Sequence, residues 1–420
     1  MRVPNASLPS PESPSRTGSF AWRKYVRYVL TGLAFMYAFK ALDTMLEETP
    51  LMQRFERANL DALFSARTPE VSKDIFIIDV TEDDYDQLFG GISPLDPAKM
   101  YEIIQAIVES GPKVLGVDFD TSGWKDVAKP NASGAPVVWA RAANGKPGNV
   151  TLADVLGGSS NDVCYGIPAY VPNDDGFVRQ YAEYIKGADL AYPTLPVNLA
   201  DIFLNRNCRK AIPVKKWKQP DTPPLINYSG DKSAFSRLSA GALLQLKGPA
   251  GDAEAAPRWD AWKRANPIKG KLALFGGAYR AARDAYPTPV GYLDGVDILA
   301  HTAQTRLPGH ELLSAIRPGF LNNWFSLQGY LLLLLLYFVP KAWRMGVTIL
   351  TGPVYAFAGN WIWFFAGGTF LSFVPYLEGL VVHQIYDHIK EFRKVEKENR
   401  ELKEKLRELG SPVPEPAAEV

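Results

Sequence analysis

The chain has 420 residues, 46 basic against 45 acidic side chains, and a formal net charge of +1. That length exceeds one ordinary core, so more than one unit is expected. The balanced charge leaves no basic excess for nucleic acid. With 10 Trp, 19 Tyr and 21 Phe, the aromatic content suits a large core or a membrane interface.

Residues 1–22 are predicted as a disordered cytoplasmic N-terminus: Pro and Ser dominate, and there is no early apolar run of a cleaved signal peptide. Residues 23–49 form the first predicted transmembrane helix. Tyr28–Leu46 is long enough to span, while Lys40 and Asp43 sit at its far end, where they can pair and snorkel. Arg23, Lys24 and Arg27 place the near end in the cytoplasm.

Residues 50–318 then lie outside as an α/β domain. DIFIIDV (74–80) reads as a strand, and TEDDYDQLF opens a helix with Thr81 and Asp84 as a capping box. PAKMYEIIQAIVESG (97–111) has helical spacing and a terminal Gly, and KVLGVDFD (113–120) and KLALFGG (271–277) read as further strands. Continuous apolar strands separated by helices imply a central, mainly parallel sheet covered by helices. In VCYGIPAYVPNDDGFVRQYAEYI, Asp175-Gly176 marks a hairpin that Arg179 closes with an ion pair. Residues 192–206 read as a helix and 248–267 as a surface excursion. Cys164 and Cys208 form a disulfide if this domain is exported, and are otherwise two unpaired thiols.

Three more spans follow, at 319–340, 344–367 and 369–388. Pro340, Lys341 and Arg344 make a basic loop that belongs inside. The last span carries Pro375, Glu378 and His383, and parity favours it, because Lys390, Arg393 and Lys394 after it also belong inside. The expectation is a multi-pass protein of a bacterial inner membrane, with the large domain in the periplasm and both termini cytoplasmic. Residues 389–409 are a coiled-coil candidate, with Ile385, Phe392, Asn399 and Leu406 at a and His388, Val395, Leu402 and Leu409 at d. An Asn at a fixes register in parallel dimers, so a parallel homodimer is predicted, against the alternative of one solvated helix. Glu378 continues the a stripe three heptads before Asn399. It faces a dimer seam or bundle interior and links the span to the coil, or it lies among headgroups. Residues 410–420 are predicted as a disordered tail, with no enzymatic output domain expected after the coil.

Four stretches together carry a family resemblance: NLDALFSARTP (59–69); IFIIDVTEDDYDQL with KVLGVDFD; VPNDDGFVRQ (171–180); and LINYSGDKSAFSRLSAGALL (225–244) with the block at 269–307. That block holds Gly270, Lys271, Asp284, Thr288, Pro289, Gly295, Val296 and His301, the last followed by Thr302 where the family has Ala. The middle of the chain resembles the second class of CHASE domain, the extracellular sensory module associated with cyclases and histidine kinases. The resemblance covers about three-fifths of the chain and extends to the layout of one span, domain and three spans. GISPLDPAKM (91–100) keeps prolines but lacks the arginine that members usually carry there.

Asp79, Asp118 and Asp120 are expected at the carboxyl ends of adjacent parallel strands, where open α/β sheets bind ligands. With Glu82 they form an oxygen-rich site for a cation or polar ligand, or else cap the following turns, with Ser122 sharing the network. Arg280, beside Arg283 in a Gly-rich loop, is a candidate anion contact against the plainer reading of a tight turn. His301 is a ligand candidate or a buried hydrogen-bonding residue. No nucleophile elbow, phosphate loop or zinc motif appears, so no enzyme, zinc site or cofactor is expected, and no metal ligand is assigned. The predicted function is sensing of a ligand or envelope state, passed through membrane helices and coil to an unidentified signalling partner. The alternative is a structural or adaptor subunit of an envelope or export complex.

Overall fold

The computed structural model describes residues 49–66, 70–124, 134–145, 150–156, 163–218, 223–249, 254–310 and 374–408, with isolated positions between them. The predicted N-terminal segment, the spans at 23–49, 319–340 and 344–367, and the tail lie almost wholly outside these residues. Among the described residues, no helix is long and apolar enough to cross a membrane.

Helix α1 (Pro50–Ala66) leads into the domain. Strand β1 (Ile75–Val80) is buried at every position, as its β-branched run requires. Helix α2 (Glu82–Phe89) starts at the Thr81–Asp84 capping box and stops at Gly90, whose φ of 63° favours glycine. Helix α3 (Pro97–Glu109) takes Asp96 as N-cap and Pro97 at its first turn. Then come β2 (Val114–Asp118), β3 (Val137–Ala140), the short ribbon β4 (Ala143–Asn144) with β5 (Thr151–Leu152), and β6 (Cys164–Gly166). A hairpin follows, β7 (Tyr170–Pro172) and β8 (Val178–Tyr181), around the predicted Asp175-Gly176 turn. Strands β9 (Tyr184–Lys186), β10 (Leu190–Pro193) and β11 (Ile212–Pro213) form a small antiparallel sheet, with α4 (Leu195–Phe203) between the last two. The chain continues through β12 (Ser236–Ser239), α5 (Ala240–Lys247), α6 (Ala255–Ala265) and β13 (Leu272–Gly277). The hairpin β14 (Ala285–Thr288) and β15 (Gly291–Asp294) then delivers α7 (Gly295–Thr305).

The main sheet has six strands in the order β12-β1-β13-β2-β3-β6, and every neighbouring pair is parallel. The two strands expected to be adjacent, β1 and β2, are therefore separated by β13. The crossover between them skips one place, which a strand made almost 200 residues after β1 fills. Alternation along the strands divides the core. Phe76, Ile78, Val80, Leu115, Val117 and Phe275 face α2, α3, α5 and α6, and Ile75, Ile77, Val114, Leu272 and Leu274 face α4 and α7. A third cluster packs Leu60, Leu63 and Phe64 of α1 against Tyr228, Val178 of the hairpin and Ile298 of α7.

Residues 248–267 do not form a mere surface excursion. Ala255, Trp259 and Trp262 recur at helical spacing, and α6 buries Trp259 with Trp262 stacked on it at 5.0 Å. Cys164 and Cys208 are joined as a disulfide, with 5.9 Å between their Cα atoms.

The C-terminal helix α8 (Val374–Glu408) is unbroken across the predicted junction between the last span and the coil. Along its described side chains, Phe392, Val395 and Leu402 are 71%, 54% and 61% exposed, so at these positions the predicted seam has no cover among the described residues. Glu398 lies 3.6 Å from Lys394 of its own helix.

Candidate functional site

At the carboxyl edge of the sheet the register sets Asp79 of β1 beside Gly276 of β13, and Gly276 beside Asp118 of β2. All three follow Ile77, Leu274 and Gly116 by two residues, so they face the α7 side. Between β1 and β13 the chain leaves in opposite directions, to α2 on one face and toward α7 on the other. This is a switch point of the kind at which open α/β sheets hold ligands.

Gly276 is small because α7 comes close. A Cβ there would meet Val296 at 2.7 Å and lie 3.6 Å from the Asp118 Cβ. Gly295 is small for a related reason, since a Cβ would collide with the Asp284 carboxylate, while its N–H donates to the Asp284 carbonyl at 2.7 Å. The Asp, Gly-Val pattern of the block at 269–307 is thus a packing device that seats α7 over the edge.

The carboxylates divide into two sets. Asp79 and Asp297 share Arg237, which donates from Nη1 to Asp79 Oδ2 at 3.0 Å and from Nη2 to Asp297 Oδ1. Burial raises the Asp79 carboxyl and pushes that of Asp297 up to about 6, although Arg237 pulls both back. Asp118 has no hydrogen-bond or ionic partner among the described residues, and burial, with the Asp284 carboxylate beside it, pushes it up to about 8. Asp284 is raised by burial and steadied by the Tyr170 hydroxyl, which donates to Oδ1 at 2.9 Å. Asp297 Oδ2 and Arg237 Nε are buried without a partner among the described residues.

The other predicted site residues fall elsewhere. Asp120 is exposed and accepts from the Ser122 backbone at 2.9 Å, as a turn cap does. Glu82 Oε2 accepts from the Arg280 backbone N–H at 2.7 Å, and the Tyr85 and Tyr279 rings stack at 4.5 Å, so these two predicted residues close the crevice at α2. Arg280 itself opens a 3-10 turn of only 3 residues, too short to hold an anion at its start. His301 is fully buried between Tyr228 and Phe235, with ring separations of 5.2 and 4.7 Å. Burial drives it down to about 3, so it stays neutral. Among the described residues, no three acidic, His or Cys groups are placed to hold a metal ion.

Sequence reading missed Arg237, Asp297 and Tyr170. Arg237 was legible only as a charge at the end of a short strand, and Asp297 only as a second carboxylate three residues after Asp294. A further pair ties α1 to the domain. Arg179, 2% exposed, grips Asp61 with Nε and Nη2, both at 2.7 Å, and reaches Asp175 of its own turn at 2.9 Å. Ser65 adds a bond to the Pro289 carbonyl at 3.1 Å.

No curated protein and no solved structure matches the chain. The CHASE2 domain family model matches residues 31–340, the larger part of the chain. That span contains the parallel sheet, the switch-point carboxylates and the Asp61–Arg179 clamp, and the chain belongs to the CHASE2 domain family of extracellular sensory domains.

Proposed function

We propose that this is a multi-pass protein of a bacterial inner membrane whose periplasmic CHASE2 domain senses a ligand or an envelope state. The change passes through the membrane helices and the C-terminal coil to a signalling partner, and no catalytic step is assigned to the chain. The observation that carries this reading is the Asp61–Arg179 pair, whose arginine is buried. α1 directly follows the first predicted span, and a two-point charged grip is a stiff joint through which domain rearrangement can move a helix. A ligand acts through that joint only by its difference in affinity for two states. The apolar stripe of Phe392, Val395 and Leu402 supports a parallel dimer as the output element.

Cysteine crosslinking in native membranes tests it. Val395→Cys should crosslink between copies, and Asp61→Asn should change that yield while the disulfide Cys164–Cys208 remains formed. An unchanged yield, together with stoichiometric copurifying proteins, would favour the structural-subunit reading. Strong crosslinks at positions 385 and 406 but none at 378 would remove Glu378 from the seam.

A further inference from the structure

A cleft of about 1000 Å³ opens at the free edge of the main sheet, away from the switch-point carboxylates. Edge strand β6 forms one wall, strands β5 and β10 form others, and the segment Cys208–Ala211 completes it. Its charge is one-sided: Arg141, Arg209 and Lys210 line it, and among the described residues no Asp or Glu does.

The three cations are not equivalent. Arg209 is neutralised by Glu183 at 2.8 Å and by Asp201. Arg141 is held differently. Its Nε donates to the Ala153 carbonyl at 2.6 Å, and its guanidinium lies over the Tyr165 ring at 4.8 Å. Among the described residues, neither Arg141 nor Lys210 has a carboxylate in ion-pair range. The Arg141 side chain is thus fixed at Nε and on one face, with both Nη groups left as a fork for a planar anion. Tyr192 and Leu152 give the cleft apolar wall for the rest of a molecule. The disulfide joins Cys164 on β6 to Cys208 across 44 residues, so two walls are locked together before anything binds. Preformed walls lower the ordering cost of binding.

We propose that this cleft binds a small organic anion, a carboxylate or phosphate on an apolar or aromatic body. Arg141 is the forked anchor and Lys210 the second charge. The inference does not depend on the membrane topology or on the output through the coil.

The test uses the full chain in nonionic detergent and ligand-observed NMR titration with benzoate, phenyl phosphate and, as a cationic control, benzylamine. Both anions should saturate and benzylamine should not, and the tighter anion identifies the headgroup. Arg141→Gln should weaken anion binding about tenfold or more, the scale of a lost charged hydrogen bond. Lys210→Gln should weaken it severalfold, and because Lys210 is exposed this variant keeps the fold. The proposal is overturned if neither anion saturates, if benzylamine binds as tightly as the anions, or if both variants retain the original affinity.

Discussion

Asp79 and Asp118 occupy the same row of one sheet, two strands apart, and face the same helix. Yet Asp79 shares a guanidinium with Asp297, while among the described residues Asp118 has no such cation and feels the Asp284 carboxylate instead. The paired set is a structural brace. The unpaired set is a carboxyl that burial keeps protonated near neutral pH, at an edge where such sheets hold ligands. Equivalent places in a sheet thus acquire different chemistry from whichever side chain a neighbouring strand supplies.

The largest expected effect comes from breaking the brace. Arg237→Met leaves two carboxylates buried without their cation and should cost about 3 kcal/mol in denaturant unfolding, discounted for partial exposure of the arginine. In a carboxyl NMR titration the same variant should raise Asp297 above its value of about 6 and leave Asp118 near 8. Parallel movement of both would mean that the two sets are one network. Next, Gly276→Ala pushes a methyl between Val296 and Asp118, and should cost about 2 kcal/mol by overpacking.

Asp118→Asn acts in the opposite direction. In the fold Asp118 holds its proton up to about pH 8, whereas in the unfolded chain it ionises near its ordinary value of 3.8. The folded state therefore carries the extra proton between those values, so this group's contribution to stability falls as pH rises through that window and levels off above it. Asn removes that dependence. The variant should match the parent near pH 4 and exceed it by a margin that grows up to pH 8, by about 1.4 kcal/mol per pH unit where the parent's two states differ by a whole proton. A gap that does not widen with pH would sink the assignment. The smallest effect is that of Tyr170→Phe, which removes the bond to Asp284 at a cost of about 1 kcal/mol. It should also raise the Asp284 carboxyl further.

Much of the scaffold was legible in the chain. The capping box of Thr81 and Asp84, the hairpin at Asp175-Gly176 and the apolar strands at 75–80, 114–118 and 272–277 all depend on residues close in sequence. Asp120 is tied to a residue two places on. The helix at 255–265 was hidden, because its apolar positions are two tryptophans and an alanine amid prolines and charge.

Local spacing by itself determined the caps, turns and strands it displayed and the parallel character of the sheet. Only the tertiary structure decided that β13 separates β1 from β2, that Arg237 reaches Asp79 across 158 residues, and that Arg179 grips Asp61 across 118. The physical reason is range. Caps, turns and periodicity are satisfied within a few residues, so the sequence displays them. The partner of a buried charge is chosen by strand order and helix packing, which no local pattern records.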